Sequence, residues 1–276
     1  MRLPADLQTL RLELEGPVLT VFFHRPEVRN AMSWQMLEEL LLVAHSLLEP
    51  VRGGGEGSEA VRVVVLRGTG GSFSAGGDVR GMNANRRGAE AGGDSVRRGN
   101  RAFGTLLSRL KRIPQVLVAA IEGPAMGGGF GFACISDVAL ATADARFGTP
   151  EVTLGLVPAQ IAPFLVERLG VSQTRRLTLT GGALDAHAAC QLGLVHKVVR
   201  DANELEQEIR LLTAQIMFCA PHAVARTKRL LSRVGEVTLG RLLDEAADLF
   251  AEALVDEGPE GIAAFLERRR ARWVPE

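Results

Sequence analysis

The chain has 276 residues, of which 46% are hydrophobic and 23% are charged, and its 32 basic and 32 acidic side chains give a formal net charge of zero. This balance gives no reason to expect nucleic acid or an anionic membrane as the main partner. The length suits one large domain, or one domain with a helical appendage. No stretch approaches the roughly 18 uninterrupted apolar residues of a membrane span, and the charged N-terminus lacks the apolar core of a signal peptide. We therefore expect a cytoplasmic protein.

The spacing of cysteines and histidines argues against a metal site. Cys134, Cys190 and Cys219 are widely separated and match neither a zinc motif nor a disulfide framework. They are expected to be small core residues in a reducing compartment. The five histidines have no metal-ligand spacing, so no metal is predicted.

The first elements are two strands and a helix. Residues 8–24 alternate apolar and polar side chains in LRLEL and continue as the apolar run VLTVFF, which predicts two short strands around a turn at residues 15–17. A loop over residues 25–30 leads to a predicted helix from about Ser33 to Leu48, with Ser33 as its N-cap. After a Gly-rich linker, the run VRVVVLRG predicts a strand covered on both faces.

The alternation continues through the middle of the chain. A helix over residues 99–112 is followed by a strand at 116–121, a Gly-rich turn, a helix from about Gly128 and a strand near 138–142. Strands alternating with helices indicate an α/β domain with substantial parallel pairing. Residues 82–98 have low hydrophobicity and several arginines, and are interpreted as a mobile surface loop.

From about Leu184 onward the pattern is helical. Helices are predicted over residues 184–192, 202–218, 221–234, 238–256 and 258–271. The chain therefore divides into a core domain of residues 1–200 and a helical C-terminal region of residues 201–276. The basic residues near 268–272 lie at the C-terminal end of a helix, where cations are favourable, so they do not indicate a nucleic-acid site.

Two Gly-rich turns carry the main functional signal. Residues 72–78 follow a buried strand, and residues 123–130 follow another strand and open a helix. Glycine lets a ligand approach the main chain closely, and a helix start offers unpaired N–H groups and a positive dipole end. Two such turns facing one another would aim N–H donors at one oxygen that gains negative charge. That is the chemistry of an oxyanion hole.

The same turns allow simpler interpretations. Gly-rich turns between a strand and a helix are common, and many bind phosphate or merely reverse the chain. The chain has no GxxxxGK[ST] segment, and Gly127-Gly128-Gly129 does not fit GxGxxG. A nucleoside triphosphate or a dinucleotide is therefore a weaker prediction, and spacing alone leaves the oxyanion hole, a phosphate site and a plain turn open.

Several segments match a known family in the same order along the chain. These segments are RPEVRNAM at 25–32, SFSAGGD at 72–78, GPAMGGGFGFACISD at 123–137, FGTPEVTLGLVP at 147–158, Leu179–Gly181 with Gly193–Val195, and Ala220-Pro221 with Lys228. They resemble the motifs of the crotonase (enoyl-CoA hydratase/isomerase) superfamily over nearly the whole chain. The resemblance implies an α/β crotonase fold, a ClpP/crotonase-like spiral of ββα units, in which residues 201–276 form a helical trimerisation region.

The resemblance implies an acyl-CoA thioester as the substrate. The backbone N–H groups of Gly77 and Gly128 would form the oxyanion hole. The backbone of Ala75-Gly76-Gly77-Asp78 would hold the adenine of coenzyme A, and Arg25 and Arg29 are candidates for its phosphates. Coenzyme A is then part of the substrate and no separate cofactor is expected. The assembly would be a homotrimer or a homohexamer built as a dimer of trimers.

Hydratases of this family are alike in using two glutamates to hold a water and move its proton. Glu151 matches the second glutamate, and it sits in an otherwise apolar stretch where desolvation would raise its pKa. The first glutamate is absent, because its position is Gly131. Glycine within a helix costs about 1 kcal/mol relative to alanine. A spatial reason is therefore expected, such as room for a bulky β-substituent on the substrate.

The GGGxG pattern and the segment GLVPAQIAPF at 155–164 are most similar to hydratases of branched glutaconyl-CoA thioesters. These act on 3-methylglutaconyl-CoA and isohexenylglutaconyl-CoA in leucine and acyclic-terpene breakdown. The expected reaction is a lyase reaction that adds water across the C2–C3 double bond. The substrate carboxylate could pair with one arginine among Arg80, Arg86, Arg87, Arg97, Arg98 and Arg101. Two alternatives stay open: an enoyl-CoA isomerase that uses a single glutamate, and a non-catalytic acyl-CoA-binding protein.

Overall fold

The computed structural model describes residues 3–48, 61–79 and 93–275. Within these ranges the strands are β1 (Leu10–Glu15), β2 (Val18–Phe23), β3 (Val63–Gly68), β4 (Val116–Ile121), β5 (Pro124–Met126), β6 (Val138–Thr142), β7 (Arg146–Gly148), β8 (Ala183–Asp185) and β9 (Lys197–Val199). The α-helices are α1 (Trp34–Leu48), α2 (Gly93–Lys111), α3 (Gly128–Ile135), α4 (Ala162–Thr180), α5 (Ala186–Gln191), α6 (Ala202–Met217), α7 (Pro221–Ser232), α8 (Leu239–Val255) and α9 (Gly258–Glu267). Short 3-10 helices cover Pro26–Val28 and Pro150–Leu154.

A six-stranded sheet with the order β1-β2-β3-β4-β6-β9 forms the centre of the fold. β1 and β2 form an antiparallel hairpin, whereas β2, β3, β4, β6 and β9 pair in parallel. The apolar runs of β3 and β4 are largely buried, as expected for parallel strands covered on both faces. A smaller sheet, ordered β5-β7-β8, contains the strand that follows β4. The predicted α/β class with parallel pairing is confirmed.

Successive side chains of β3 point into two separate hydrophobic clusters, because side chains alternate across a strand. Val64 belongs to the cluster shared with α1, α2 and α3. Val65 belongs to the cluster shared with Leu205 and Ile209 of α6. Helix α6 therefore covers the second face of the sheet, and the candidate site lies on the side of the first cluster.

Helix boundaries differ from the sequence-based expectations at several places. Ser33 caps α1 as predicted, since its Oγ accepts from Met36 N–H at 3.2 Å. Helix α2 begins at Gly93, so the predicted surface loop is wrong for residues 93–98, where exposed arginines lie along a helix instead. Residues 82–92 lie outside the described residues.

The region after the second Gly-rich turn holds a long helix that the sequence analysis did not predict. Helix α4 has 19 residues and contains a kink at Gly170, where φ is 73° and ψ is 163°. The predicted helix at 184–192 begins instead as strand β8. Helix α9 ends at Glu267 rather than at residue 271, because Arg268 takes a left-handed conformation with a φ of 54°.

Polar contacts tie the C-terminal helices to the core. The guanidinium of Arg62, just before β3, donates to the backbone oxygens of Ile216, Met217, Cys219 and Trp273. Lys228 of α7 donates to Asp137 Oδ2 at 2.5 Å. These contacts fix the end of α6, the start of the arm formed by α7–α9 and the chain end against the central sheet.

Helix α8 packs differently from the core helices. Among its 17 residues only Leu249 is buried. Leu239, Leu243, Phe250 and Leu254 are exposed, and their spacing places them along one stripe of the helix. The described part of the chain therefore leaves an apolar face of α8 in contact with solvent.

The burial of the cysteines and the character of the helices bear on the expectations from composition. Cys134 is buried and Cys190 is half-buried, as expected for core residues, but the prediction is wrong for Cys219, which is exposed. Cys219 follows the end of α6, where the chain leaves the sheet for α7. Among the described residues, no helix combines the length and the apolar character needed to cross a membrane.

Candidate active site

The two Gly-rich turns run side by side in the structure. Ser74 and Ala125 pair as in a parallel ladder. Ser74 N–H donates to Pro124 O at 2.9 Å, and Met126 N–H donates to Ser74 O at 2.9 Å. Direct backbone hydrogen bonds therefore hold the two turns together, as expected.

The register of this pairing brings the predicted N–H donors to the same place. A Cβ on Gly127 would lie 3.6 Å from Gly76 Cα, so the two backbones touch. Gly77 and Gly128 come next in each turn, and both are partly exposed whereas Gly76 and Gly127 are buried. Within the described residues, neither Gly77 N–H nor Gly128 N–H donates to a protein acceptor. Two free N–H groups in this arrangement are what an oxyanion hole requires.

The buried side chain of Asn30 holds the backbone around the first turn in place through hydrogen bonds. It is fully buried, its Oδ1 accepts from Arg25 N–H at 2.8 Å, and its Nδ2 donates to Thr69 O at 2.9 Å and Ser72 O at 2.6 Å. Its φ of 56° is left-handed, a region that asparagine tolerates better than most residues. The asparagine of RPEVRNAM therefore satisfies the backbone of the turn that carries Gly77.

Glu151 places a carboxyl group against the second turn. It lies in the short 3-10 helix Pro150–Leu154, after the fully buried Thr149. Its Oε1 lies 2.7 Å from the position that a Cβ on Gly127 would take. Gly127 also has a φ of 51°, so both its conformation and the close carboxyl require glycine there.

The environment of Glu151 favours its neutral form. Burial raises the pKa of the Glu151 carboxyl, because the carboxylate is poorly solvated, and a backbone hydrogen bond opposes this to a smaller extent. Its Oε2 is buried and has no hydrogen-bond partner among the described residues. A carboxyl with a raised pKa and an unpartnered oxygen is suited to exchange a proton with a bound molecule.

The position of the missing glutamate is filled by a neighbouring side chain. A Cβ on Gly131 would lie 2.6 Å from Ile161 Cγ2 and 3.4 Å from Leu107 Cδ1. A spatial reason for glycine at this position was expected, and the close contact with Ile161 supplies one. Room for a bulky substrate group stays a prediction. Glycine at this point lets the segment before α4 pack closely on α3.

An apolar wall stands beside the free N–H groups. A Cβ on Gly128 would lie 2.5 Å from Met32 Cε and 3.1 Å from Phe103 Cζ. One turn earlier in α2, a Cβ on Gly99 would overlap the ring of Trp34. Met32, Trp34 and Phe103 thus form a surface next to the candidate oxyanion hole that an acyl chain can contact.

A polar contact next to this wall was missed by the sequence analysis. Gln160 Nε2 donates to Asn100 Oδ1 at 2.9 Å, which joins the segment before α4 to α2. A Cβ on Gly104 would overlap Gln160 Oε1. The sequence feature that could have indicated a close contact here is the pair of glycines at 99 and 104 inside one helix. Glycine in a helix is unfavourable unless another group approaches closely.

The residues predicted to bind coenzyme A lie in and around the first turn. Arg25 donates to Ala31 O and pairs with Asp78 Oδ2 at 3.1 Å, so both side chains already hold the loop together. Arg29 is exposed, with no ion pair to any described residue. Ala75 N–H donates to Arg29 O at 2.8 Å. Ala75, Gly76, Gly77 and Asp78 are contiguous with the candidate oxyanion hole, and their role towards coenzyme A stays a prediction.

Among the described residues, one group of side chains has the composition of a metal site, where the start of α7 meets the connection between α8 and α9. His222 Nδ1 lies 2.8 Å from Asp256 Oδ2, and Glu257 completes the group. Asp256 also pairs with Arg226 at 2.8 Å. Glu257 accepts from the N–H groups of His222 and Ala223 at the start of α7. Ion pairing and helix capping account for these carboxylates, and the absence of a metal stays a prediction.

Comparison with known proteins assigns the chain to a family. The model of the enoyl-CoA hydratase/isomerase family matches residues 13–275. The match includes both Gly-rich turns, Glu151 and the C-terminal helices. The chain belongs to the enoyl-CoA hydratase/isomerase family. The crotonase resemblance of the sequence motifs is thereby confirmed.

Curated relatives in this family are similar over almost their whole length. A putative enoyl-CoA hydratase of Thermus thermophilus is 34% identical over 261 residues, which cover 94% of this chain and 98% of the relative. The short-chain-enoyl-CoA hydratase of Clostridium acetobutylicum is 31% identical over 268 residues, which cover 96% of this chain and 97% of the relative. Enoyl-CoA hydratases are hydro-lyases, so the predicted enzyme class is confirmed at the level of the family.

Solved structures show the same fold. AtuE of Pseudomonas aeruginosa is 47% identical with a TM-score of 0.90, over 97% of this chain and 100% of that chain. An enoyl-CoA hydratase/isomerase of Marinobacter aquaeolei is 45% identical with a TM-score of 0.89, over 97% of this chain and 99% of that chain. The predicted crotonase fold is confirmed by these structures.

Proposed function

We propose that this protein is an enoyl-CoA hydratase that adds water across the C2–C3 double bond of a branched glutaconyl-type thioester. The observation that carries the proposal is the position of the Glu151 carboxyl, which lies against Gly127 in the second of the two paired turns that present free N–H groups. A half-buried acid beside two fixed donors is the minimum that hydration of an enoyl thioester requires.

The thioester oxygen would accept hydrogen bonds from Gly77 N–H and Gly128 N–H. As water attacks C3, the double-bond electrons move towards the carbonyl and the oxygen gains negative charge. The N–H groups are fixed by the turns and need no reorganisation, so they stabilise this enolate more than the ground state. Removal of one such donor typically costs about 10²–10³ in rate.

Glu151 would supply the proton chemistry. Its carboxylate accepts a proton from the water while the water oxygen bonds to C3, and it returns a proton to C2 as the enolate collapses. The carboxylate is then regenerated, and one water has been added. The unpartnered Oε2 supports this role, because a buried carboxyl oxygen without a protein donor is available to a bound water.

The branched, carboxylated substrate class is the more specific part of the proposal. Support comes from the basic character of α2, in which five basic residues accompany one acidic residue. A helix of this charge beside the apolar wall favours an anionic acyl group. With 3-methylglutaconyl-CoA or isohexenylglutaconyl-CoA as substrate, the enzyme would act in leucine or acyclic-terpene breakdown, in the cytoplasm.

The test follows loss of the enoyl-thioester absorbance with 3-methylglutaconyl-CoA, isohexenylglutaconyl-CoA and crotonyl-CoA. We expect Glu151→Gln to lower kcat by at least about 10², within the range of general acid–base catalysis. Glu13→Gln, at an exposed glutamate of β1, is the matched control and should leave the rate unchanged. Turnover of no thioester would contradict the hydratase, and turnover of crotonyl-CoA alone would contradict the substrate class.

An enoyl-CoA isomerase is the second candidate, and one observation favours it. Ile161 packs at the position of the first family glutamate, so Glu151 is the one of the two family glutamate positions that carries a carboxyl. One carboxyl suffices to move a proton between two carbons. Mass analysis of the product distinguishes the two reactions, because hydration adds the mass of water and isomerisation does not. Tight binding of acyl-CoA that Glu151→Gln leaves unchanged, without turnover, would instead indicate a binding protein.

The assembly is part of the proposal. A homotrimer, or a homohexamer built from two trimers, would cover the apolar stripe of α8, which the described chain leaves exposed. The division into a core of residues 1–200 and a trimerisation region of residues 201–276 fits this role for α7–α9. Coenzyme A, held by the backbone of residues 75–78 with Arg25 and Arg29 at its phosphates, would enter as part of the substrate.

A further inference from the structure

The contact between Gln160 and Asn100 lies at one edge of the apolar wall. Phe103 of α2 covers Gly128, and Asn100 is one turn earlier on the same helix. Asn100 is exposed and Gln160 is half-buried, so the pair borders solvent rather than the core. An acyl chain that ran from Gly128 past Phe103 and one turn back along α2 would reach this edge.

Arg101 adds a positive charge to the same edge. Its Nη1 lies 3.4 Å from the point where a Cβ on Gly104 would be, and Gln160 Oε1 lies against that same point. Nη1 donates to Thr105 Oγ1 at 3.0 Å, which turns the guanidinium along the helix. Arg101 has no ion pair with any described residue, so its charge is not neutralised by a carboxylate of the described chain.

The edge therefore presents mainly donors. Asn100 Oδ1 accepts from Gln160, and Asn100 Nδ2 donates to no residue in the described part of the chain. The guanidinium of Arg101 has further N–H groups beyond the one that Thr105 uses. An amide N–H and a planar guanidinium side by side match the oxygens of a carboxylate better than a hydroxyl or an alkyl group.

We propose that Arg101 and Asn100, with Asn100 held by Gln160, bind a carboxylate at the end of the acyl chain remote from the thioester. The inference rests on the proposed function for the position of the thioester, and it assigns the specificity for an acidic acyl group to these residues. Arg97 and Arg98, which are also exposed on α2, then contribute only to the general positive charge of the helix.

A binding experiment tests the assignment without any need for turnover. Glutaryl-CoA and pentanoyl-CoA have acyl chains of equal carbon number, with and without a terminal carboxylate, and neither has the double bond. Calorimetric titration should show that Arg101→Gln weakens glutaryl-CoA binding by about tenfold to a hundredfold, the range of a hydrogen bond to a charged group. Binding of pentanoyl-CoA should stay within about twofold.

Arg109→Gln is the matched control, because Arg109 is an exposed arginine of the same helix about 12 Å further along it. It should leave the binding of both thioesters unchanged. Asn100→Asp provides a second arm, since a like charge at the edge should weaken glutaryl-CoA alone. Equal losses for both thioesters in Arg101→Gln would overturn the assignment in favour of a structural role, and unchanged glutaryl-CoA binding would overturn it outright.

The outcome is separable from that of the proposed function. If the enzyme hydrates no enoyl thioester but Arg101→Gln still selectively weakens glutaryl-CoA, the recognition site stands and the reaction is wrong. If hydration occurs, Arg101→Gln should raise KM for the carboxylated enoyl thioester and leave kcat within about twofold. A fall in kcat with unchanged KM would place Arg101 elsewhere in the reaction and contradict the inference.

Discussion

At the scale of single residues, the candidate site separates the stabilisation of charge from the transfer of protons. In the proposed mechanism, Gly77 and Gly128 act through backbone N–H groups, whose charge does not change with pH. Glu151 carries the titratable group, and burial raises the pKa of its carboxyl. The pH dependence of the reaction should therefore report on Glu151, and so should part of the pH dependence of stability.

In the proposed hydration Glu151 acts as a base, so it must be ionised before water attacks. We therefore expect kcat/KM to fall with decreasing pH through one protonation, with a midpoint above the ordinary glutamate value of about 4.3. A pH profile of the wild type, with circular dichroism at each pH to confirm folding, measures the midpoint. A midpoint at or below the ordinary value would show that the group in control of the rate is not a buried carboxyl.

The same raised pKa has a consequence for folding. Below the unfolded pKa both states hold the proton, so the shift has no effect on stability. As pH rises from the unfolded to the folded pKa, the unfolded state releases its proton first, and the wild type loses stability. Glu151→Gln does not titrate. Urea unfolding should therefore show the variant gaining stability relative to the wild type across this window, and a constant difference at all pH values would contradict the shift.

At the scale of elements, glycines set the distances between helices around the site. Gly131 allows Ile161 to approach α3, and Gly104 allows Gln160 to approach α2. The segment between the 3-10 helix and α4 therefore packs into α2 and α3 through two glycines on separate helices. This packing fixes the frame in which Glu151 is held.

Gly131→Ala tests this packing. The added Cβ would lie 2.6 Å from Ile161 Cγ2, and we expect a cost of about 1–3 kcal/mol from overpacking, against a gain of up to about 1 kcal/mol from helix propensity. Ile161→Ala removes the clash but leaves a cavity. The double variant should consequently be more stable than the sum of the two single changes by about 0.5–3 kcal/mol, as measured by urea unfolding.

Gly240→Ala is the control for helix propensity. Gly240 lies in α8 with no atom within 4 Å of the position of a Cβ. We expect this change to be neutral or to stabilise the protein by up to about 1 kcal/mol. If Gly131→Ala behaved in the same way, the contact with Ile161 would not be the reason for glycine at 131.

Local sequence was enough to predict those elements whose structure depends on residues adjacent in the chain. The β-branched runs of β3 and β4, the cap of α1 by Ser33 and the two Gly-rich turns follow from residues adjacent in the chain. Glu151 was found through its motif. The pairing of the turns through Ser74 and Ala125 was expected from the function of the site, but no local pattern specifies it.

The rest depends on contacts between distant residues. Gly131 marked the loss of a glutamate in the sequence, but only packing reveals that Ile161, thirty positions later, fills the place. The link from Gln160 to Asn100 likewise joins residues sixty positions apart. Helix α4 was missed because Gly170 interrupts its apolar pattern, and the start of α2 was missed because its first turns are polar.

At the scale of the whole molecule, the C-terminal helices are anchored to the core but incompletely covered. Arg62 binds four backbone oxygens where the arm leaves and where the chain ends. Such a link orients the arm without burying its apolar surface. Phe250 is 71% exposed and Leu239 is 70% exposed on the same stripe of α8. Exposed apolar surface of this kind is typical of an interface between subunits.

A charge on this stripe should disrupt the proposed assembly. Phe250→Glu places a charge on the stripe, where association would have to bury it, and should shift the protein from a trimer or hexamer towards monomers in light scattering coupled to gel filtration. Arg241→Glu is the matched control, because it places the same carboxylate at an exposed position on the opposite side of α8. Association of the control should be unchanged. If Phe250→Glu assembled like the wild type, the subunit contact would lie elsewhere, and a wild type that is monomeric at micromolar concentration would contradict the proposed assembly itself.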